Sequence, residues 1–174
     1  MDRAARQCVG IFFLTIAFAA ALWCAYQIAP NRWTGLFFPQ NRSVWELSKI
    51  ALWPCMAAVL LCHAKNPERG SLCAYLMVPA ALPVALLFVY WFFHMVCGIC
   101  SSLLDAVIWL ILLAAGDVTA LSLRKTPFMR RGIAAVCALL GVWTVLYCLF
   151  SLCPAELPLF SETVPRTAAA AIGW

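Results

Sequence analysis

Five long apolar runs divide the chain, each ended by a cluster of polar or charged residues. They cover 9–28, 44–62, 72–95, 102–123 and 132–152. Each comes close to or exceeds the roughly 20 apolar residues that a helix needs to cross a bilayer. The separators are short: APNRWTGLFFPQNRS, HAKNPERGS, VCGICSS and RKTPFMRR. The pattern predicts an all-α, integral membrane bundle of five transmembrane helices in a single membrane domain spanning 1–174. The remaining segment, 153–174, carries Pro154, Pro158 and Pro165 and is too broken to span again, so it is read as an extracytoplasmic tail. The first run is read as a retained helix. A signal-peptide core has about 7–15 residues, whereas this run has spanning length and is followed by four more. Trp23 before Cys24 also makes a poor lipoprotein site.

Composition agrees with the pattern. Hydrophobic residues make up 66% of the 174 positions and charged residues 11%, against about 45–50% and about 25% in water-soluble domains. A chain this apolar cannot cover a core with a polar shell, which leaves no room for a separate catalytic or nucleic-acid-binding domain. The few cations are sorted. With the N-terminus cytoplasmic, Arg3, Arg6, Lys65, Arg69, Arg124, Lys125, Arg130 and Arg131 fall inside and Arg32, Arg42, Lys49 and Arg166 outside, as the positive-inside rule prefers. The C-terminus is then extracytoplasmic. The net charge of +5 reads as a sorting signal and a contact with anionic headgroups, not a nucleic-acid patch.

Candidate chemistry gathers at the extracytoplasmic mouth. Ser43 and Glu46 have capping-box spacing, and Glu46 and Lys49, three apart, share a helix face. They are read either as a helix start at the surface or as a polar site. Asn41-Arg42-Ser43 fits a glycosylation sequon but lies too close to the membrane to be read as one. Ionisable groups at membrane depth usually face an interior or a cavity, so Glu46, Lys49, His94 and Asp105 form the candidate ligand-binding set. Ser102 and Asp105 again have capping-box spacing. Asp117 lies twelve residues beyond Asp105, about 18 Å further along the helix, with Arg124 or Arg130 as its expected partner. Pro54, Pro79 and Pro83 predict kinks that open space between helices.

The string NRSVWELSKIALWP, Asn41 to Pro54, resembles the signature of an uncharacterised family of small bacterial polytopic membrane proteins, a domain of unknown function with the pattern N-x-S-V-W-E-H-x-K and a following proline. Pro154, Leu157, Pro158, Leu159, Phe160 and Glu162 resemble that family's P-x-x-x-P-L-F-x-D/E tail. Leu47 stands where the pattern has histidine, and the ending AAAAIGW differs. The resemblance implies a shared fold, a bacterial cytoplasmic membrane location and no established activity.

Ten cysteines are present, most of them inside spans, where cysteine serves as a small apolar residue. Cys97-Gly-Ile-Cys100 is the exception. A CxxC at the outer face resembles the dithiol of membrane thiol oxidoreductases that pass electrons to a quinone, with Cys153, Cys148 or Cys24 as partner thiols. His63 and His94 fall at opposite faces, so no two-histidine metal site is expected. No G-x-S-x-G, H-E-x-x-H or phosphate-binding glycine loop occurs. Three functions remain. The first is a non-catalytic protein that binds or moves a small ligand or lipid through a polar outer vestibule, with no resident cofactor. The second is a quinone-coupled thiol-disulfide oxidoreductase using Cys97 and Cys100, and the third an accessory subunit with a membrane-protein partner.

Overall fold

A computed structural model describes residues 3–29, 31–40, 43–65, 67, 71–99 and 101–153, apart from the side chains of Arg32 and Arg130. Asn41, Arg42, Arg69, Cys100 and the tail motif from Pro154 onward lie outside the described residues. The elements are α1 (Arg3–Ile28), α2 (Arg32–Phe37), α3 (Val44–Lys65), α4 (Ser71–Trp91), a π-helical turn (Phe92–Val96), α5 (Ser102–Leu123), α6 (Pro127–Arg131) and α7 (Ile133–Leu152). Among the described residues there is no strand. Five helices, with α4 continued through its π turn, are long and apolar enough to cross a membrane.

The predicted runs fall on these helices: the first three spanning helices are longer than their runs, α5 coincides with 102–123, and α7 begins one residue after the predicted 132. α1 begins six residues before the apolar run because Arg3, Ala4, Ala5, Arg6 and Gln7 are good helix formers. α3 runs on through His63 and Lys65, and the Lys65 cation complements its C-terminal dipole. Two short helices were not signalled by apolar periodicity. Asn31 caps α2 by accepting from the backbone N–H groups of Trp33 and Thr34 at 2.9 and 3.0 Å, while Asn31 N–H donates to Thr34 Oγ1 at 3.1 Å. α6 opens on Pro127, the position where a missing N–H is harmless.

Helices α1, α3, α4 and α5 form a ring, in which α1 packs on α3 and α5, and α4 packs on α3 and α5. α7 lies outside the ring against α4, with lesser contacts to α2 and α3. α4 is therefore the central helix. Its buried residues include Tyr75, Val78, Leu82, Leu86 and Tyr90. The outward faces carry Phe13, Phe88, Leu103, Ile111 and Val145, each more than 60% exposed. Side chains of this kind around the whole circumference need lipid as their solvent.

Close packing and proline chemistry set the helix angles. A Cβ on Gly116 would sit 2.9 Å from Val78 Cγ1, so glycine lets α5 approach α4. Pro83 has no N–H to give the Pro79 carbonyl, and one residue on, the Ala80 carbonyl accepts a 2.9 Å bond from Trp143 Nε1. That cross-helix bond holds α7 to the kinked wall of α4. Pro54 likewise leaves the Ile50 carbonyl without its helical donor. Gly98, at φ +67°, ends the π turn in a conformation that suits glycine. There Cys97 N–H reaches Phe92 O at 3.1 Å and Ile99 N–H reaches Phe93 O at 3.0 Å. The glycine of the CGIC string thus has a backbone role.

Candidate functional site

Two polar clusters occupy the end of the bundle that holds the start of α3 and the α4–α5 turn, here the distal end. The first is built on the first turns of α3. Ser43 Oγ accepts from Glu46 N–H at 3.2 Å, as its spacing predicts. The Glu46 carboxylate then turns to Lys49, with Nζ to Oε2 at 2.6 Å, and the same oxygen accepts from Gln40 N–H at 3.0 Å. Lys49 Nζ also donates to the Gly35 carbonyl at 2.9 Å. The Lys49 side chain is wholly buried and that of Glu46 nearly so.

This pair ties α2 and the segment after it to the start of α3. On the next helix face Trp45 packs against Tyr147, Phe150 and Trp143 of α7, with ring centroids 4.9, 5.3 and 6.3 Å apart. Ser48 Oγ and Tyr147 Oη lie 2.6 Å apart. The S-V-W-E-x-S-K portion of the signature string is therefore a structural knot that joins α2, α3 and α7.

The second cluster lies on the other side of α3. His94 Nε2 is 2.8 Å from Asp105 Oδ1. Tyr90 Oη donates to the Asp105 backbone carbonyl at 2.9 Å, and the Tyr90 and His94 rings stack at 5.9 Å with a 9° interplanar angle. The π turn places the histidine: its wider winding rotates His94 relative to the α-helical course, setting it one turn above Tyr90 and facing α5. Ser102 does not cap Asp105. The cap is Ser101, whose backbone carbonyl accepts from Asp105 N–H at 3.0 Å, and the carboxylate is turned to His94 instead. The histidine ring is buried and its Nδ1 has no partner among the described residues, whereas the Asp105 side chain keeps 14% exposure.

A cavity of about 390 Å³ opens beside this pair, within the ring of α1, α3, α4 and α5. From α1 it takes Ile16, Ala19, Ala20 and Trp23, one face at i, i+3, i+4 and i+7. From α5 it takes Ser102, Asp105, Ala106 and Trp109, again one face. Leu47 and Ile50 of α3, Tyr90 and His94 of the α4 unit, and Phe38 after α2 complete the wall. Small alanines on facing helices leave the space, and kinked α3 borders it. Its size lies within the roughly 300–1,000 Å³ of small-molecule sites.

The four candidate residues thus resolve into two pairs. His94 and Asp105 line the cavity; Glu46 and Lys49 do not, and act on it through α2, whose C-cap residue Phe38 forms part of the wall. Tyr90, Trp23 and Trp109 belong to the site and carried no signal in the sequence, because an aromatic residue in an apolar run looks like core. Cys97 is exposed, and its sequence partner Cys100 lies outside the described residues. Cys24 and Cys153 are also exposed. Among the described residues no group of three or more His, Cys, Asp or Glu side chains is arranged to hold a metal ion.

Asp117 departs from its expected pairing. It is 1% exposed, and neither carboxylate oxygen has a hydrogen-bond partner among the described residues. The Cys8 thiol donates to the Asp117 backbone carbonyl at 3.5 Å. α1 and α4 enclose this stretch of α5, which draws Asp117 into the ring instead of toward the cations that follow the helix.

No curated protein and no solved structure matches the chain. A family profile does match, over residues 6–168, and the chain accordingly belongs to that family of unknown function (DUF6512).

Proposed function

We propose that this protein binds, and serves to hold or move, an amphipathic small molecule or lipid in the cavity between α1, α3, α4 and α5. It acts without covalent chemistry. The carrying observation is a cavity of about 390 Å³ whose walls are apolar except at one end, where Asp105, His94 and Ser102 meet it. Such a space takes a hydrophobic body and orients it by a single polar group, the division of labour that small-molecule sites use. Asp105 is the contact residue. His94 and Tyr90 are positioning residues: the first holds a carboxylate oxygen and the second the backbone of the same residue. Glu46 and Lys49 contribute by fixing α2, and hence Phe38, across the cavity.

Asp105 is one turn into α5, so the polar end lies near the level of the headgroups and the apolar part extends toward the bilayer centre. A lipid-like molecule entering from the membrane would find its polar and apolar ends already matched to depth. The test is to fill the space. Ala106→Trp is expected to remove a small molecule that co-purifies with the wild-type protein in native mass spectrometry, while leaving the helical content unchanged. Equal retention of that molecule by Ala106→Trp, or the absence of any retained molecule from wild-type protein extracted in mild detergent, overturns the reading.

A further inference from the structure

The chemistry of the cavity wall narrows the ligand. We infer, resting on the reading above, that the site selects an amphipathic cation, a molecule with an amine or quaternary ammonium group joined to an apolar body. Three observations converge on this.

The first is charge. Among the described residues that line the cavity none is Lys or Arg, and the only carboxylate is Asp105. Its Oδ1 lies 2.8 Å from His94 Nε2, and the other carboxylate oxygen is not engaged by that contact. The nearest buried cation, Lys49, is held by Glu46 and Gly35 on a different face of α3 and does not line the cavity. An anionic head would meet this carboxylate at low dielectric with no Lys or Arg among the described lining residues to offset the repulsion, whereas a cationic head is attracted to it.

The second is aromatic character. Trp23, Phe38, Tyr90 and Trp109 come from α1, the segment after α2, α4 and α5, so rings border the cavity from several directions. Ring faces attract ammonium groups through their quadrupole, tryptophan most strongly. Trp109 follows Asp105 by four residues on the same helix face, so a ring and a carboxylate are presented together.

The third is polar geometry. The Asp105 side chain keeps 14% exposure against 2% for His94, so the carboxylate offered to a ligand is an acceptor. A ligand head that carries positive charge complements this charged acceptor, and the Ser102 hydroxyl beside it can accept as well as donate.

The probes are three twelve-carbon amphiphiles used below their micellar concentrations: dodecyltrimethylammonium, dodecanol and dodecyl sulfate. Binding to the full chain in nanodiscs of neutral lipid is followed by quenching of tryptophan fluorescence, with Ala106→Trp as the blocked control. The inference predicts saturable binding of the ammonium probe, roughly tenfold to a hundredfold weaker in Asp105→Asn, the range expected for a lost charged contact. Asparagine has both an oxygen and an NH2 group to offer His94 Nε2, so the wall retains its shape. A second variant, Trp109→Leu, is expected to weaken the ammonium probe more than dodecanol.

Dodecanol or dodecyl sulfate binding as tightly as the ammonium probe, in a manner blocked by Ala106→Trp, overturns the cation inference while the cavity reading stands. Ammonium binding that is unchanged in Asp105→Asn also overturns it. Failure of all three probes to bind saturably overturns both.

Discussion

Removing the ammonium of Lys49 tests whether the buried ion pair organises the distal end. Lys49 Nζ and Glu46 Oε2 are 2.6 Å apart, with side-chain exposures of 0% and 8%. At an effective dielectric of about 20 their attraction is roughly 6 kcal/mol, most of it offset by the desolvation of both ions. Lys49→Met removes the attraction but leaves Glu46 buried, and a broken pair of this kind costs about 3–5 kcal/mol. The loss has a second part: Lys49 is also the donor to Gly35, so α2 is released at its middle. The double variant Glu46→Gln/Lys49→Met removes both charges and is expected to recover most of the single-variant loss. The assay is reversible unfolding of the detergent-solubilised protein by dodecyl sulfate, followed by circular dichroism, for wild type, both single variants and the double variant. A coupling of about 2 kcal/mol or more is expected. Single losses below about 1 kcal/mol, or losses that simply add in the double variant, would refute the reasoning, because a surface pair behaves that way.

Asp117 is buried with both carboxylate oxygens unpartnered among the described residues, so Asp117→Val is expected to raise stability by about 1–3 kcal/mol in the same unfolding assay; a loss of that size would mean that the carboxyl is held by a partner. Gly116→Ala places a Cβ 2.9 Å from Val78 Cγ1 and should cost about 1–3 kcal/mol through overpacking, with Val78→Ala in the same chain restoring most of it; an unrelieved loss would show that another contact is responsible. Trp143→Phe removes the 2.9 Å bond to the Ala80 carbonyl and should cost about 1 kcal/mol beyond the change in ring size in the same unfolding assay; an unchanged stability would show that the bond does not hold α7 to α4.

The membrane fold is legible in the sequence because lipid imposes a length and a polarity on each crossing helix. The apolar runs found all five spans, and they missed what periodicity does not encode. α2 rests on the Asn31 and Thr34 cap, a local pattern within a stretch that otherwise reads as a loop. The π turn that places His94 is a backbone rearrangement with no residue signature of its own, although Gly98 marks its end.

The candidate site was half legible. Charged residues inside apolar runs pointed to Glu46, Lys49, His94 and Asp105, but not to their division into two pairs. That division depends on the rotation of α3, which turns Leu47 and Ile50 to the cavity and Glu46 and Lys49 to α2. The spacing of Ser102 and Asp105 suggests a cap, yet Ser101 takes that place and frees the carboxylate for His94. Asp117 shows the same limit: nearby cations in sequence predict a salt bridge, and the ring of helices withholds it. The aromatic wall was invisible, since Trp23, Tyr90 and Trp109 differ from ordinary core residues only by what they surround.

The central claim is that the space beside His94 and Asp105 holds a molecule in the working protein. A ligand-resolving structure of the chain, purified in its own lipids without delipidating detergent, tests it most directly. The account predicts an elongated density between α1 and α5, its polar end within hydrogen-bonding distance of Asp105 and its body between Ala19, Ala20 and Ala106. A cavity closed by inward movement of Trp23 and Trp109, with His94 and Asp105 sealed from any ligand, would contradict it.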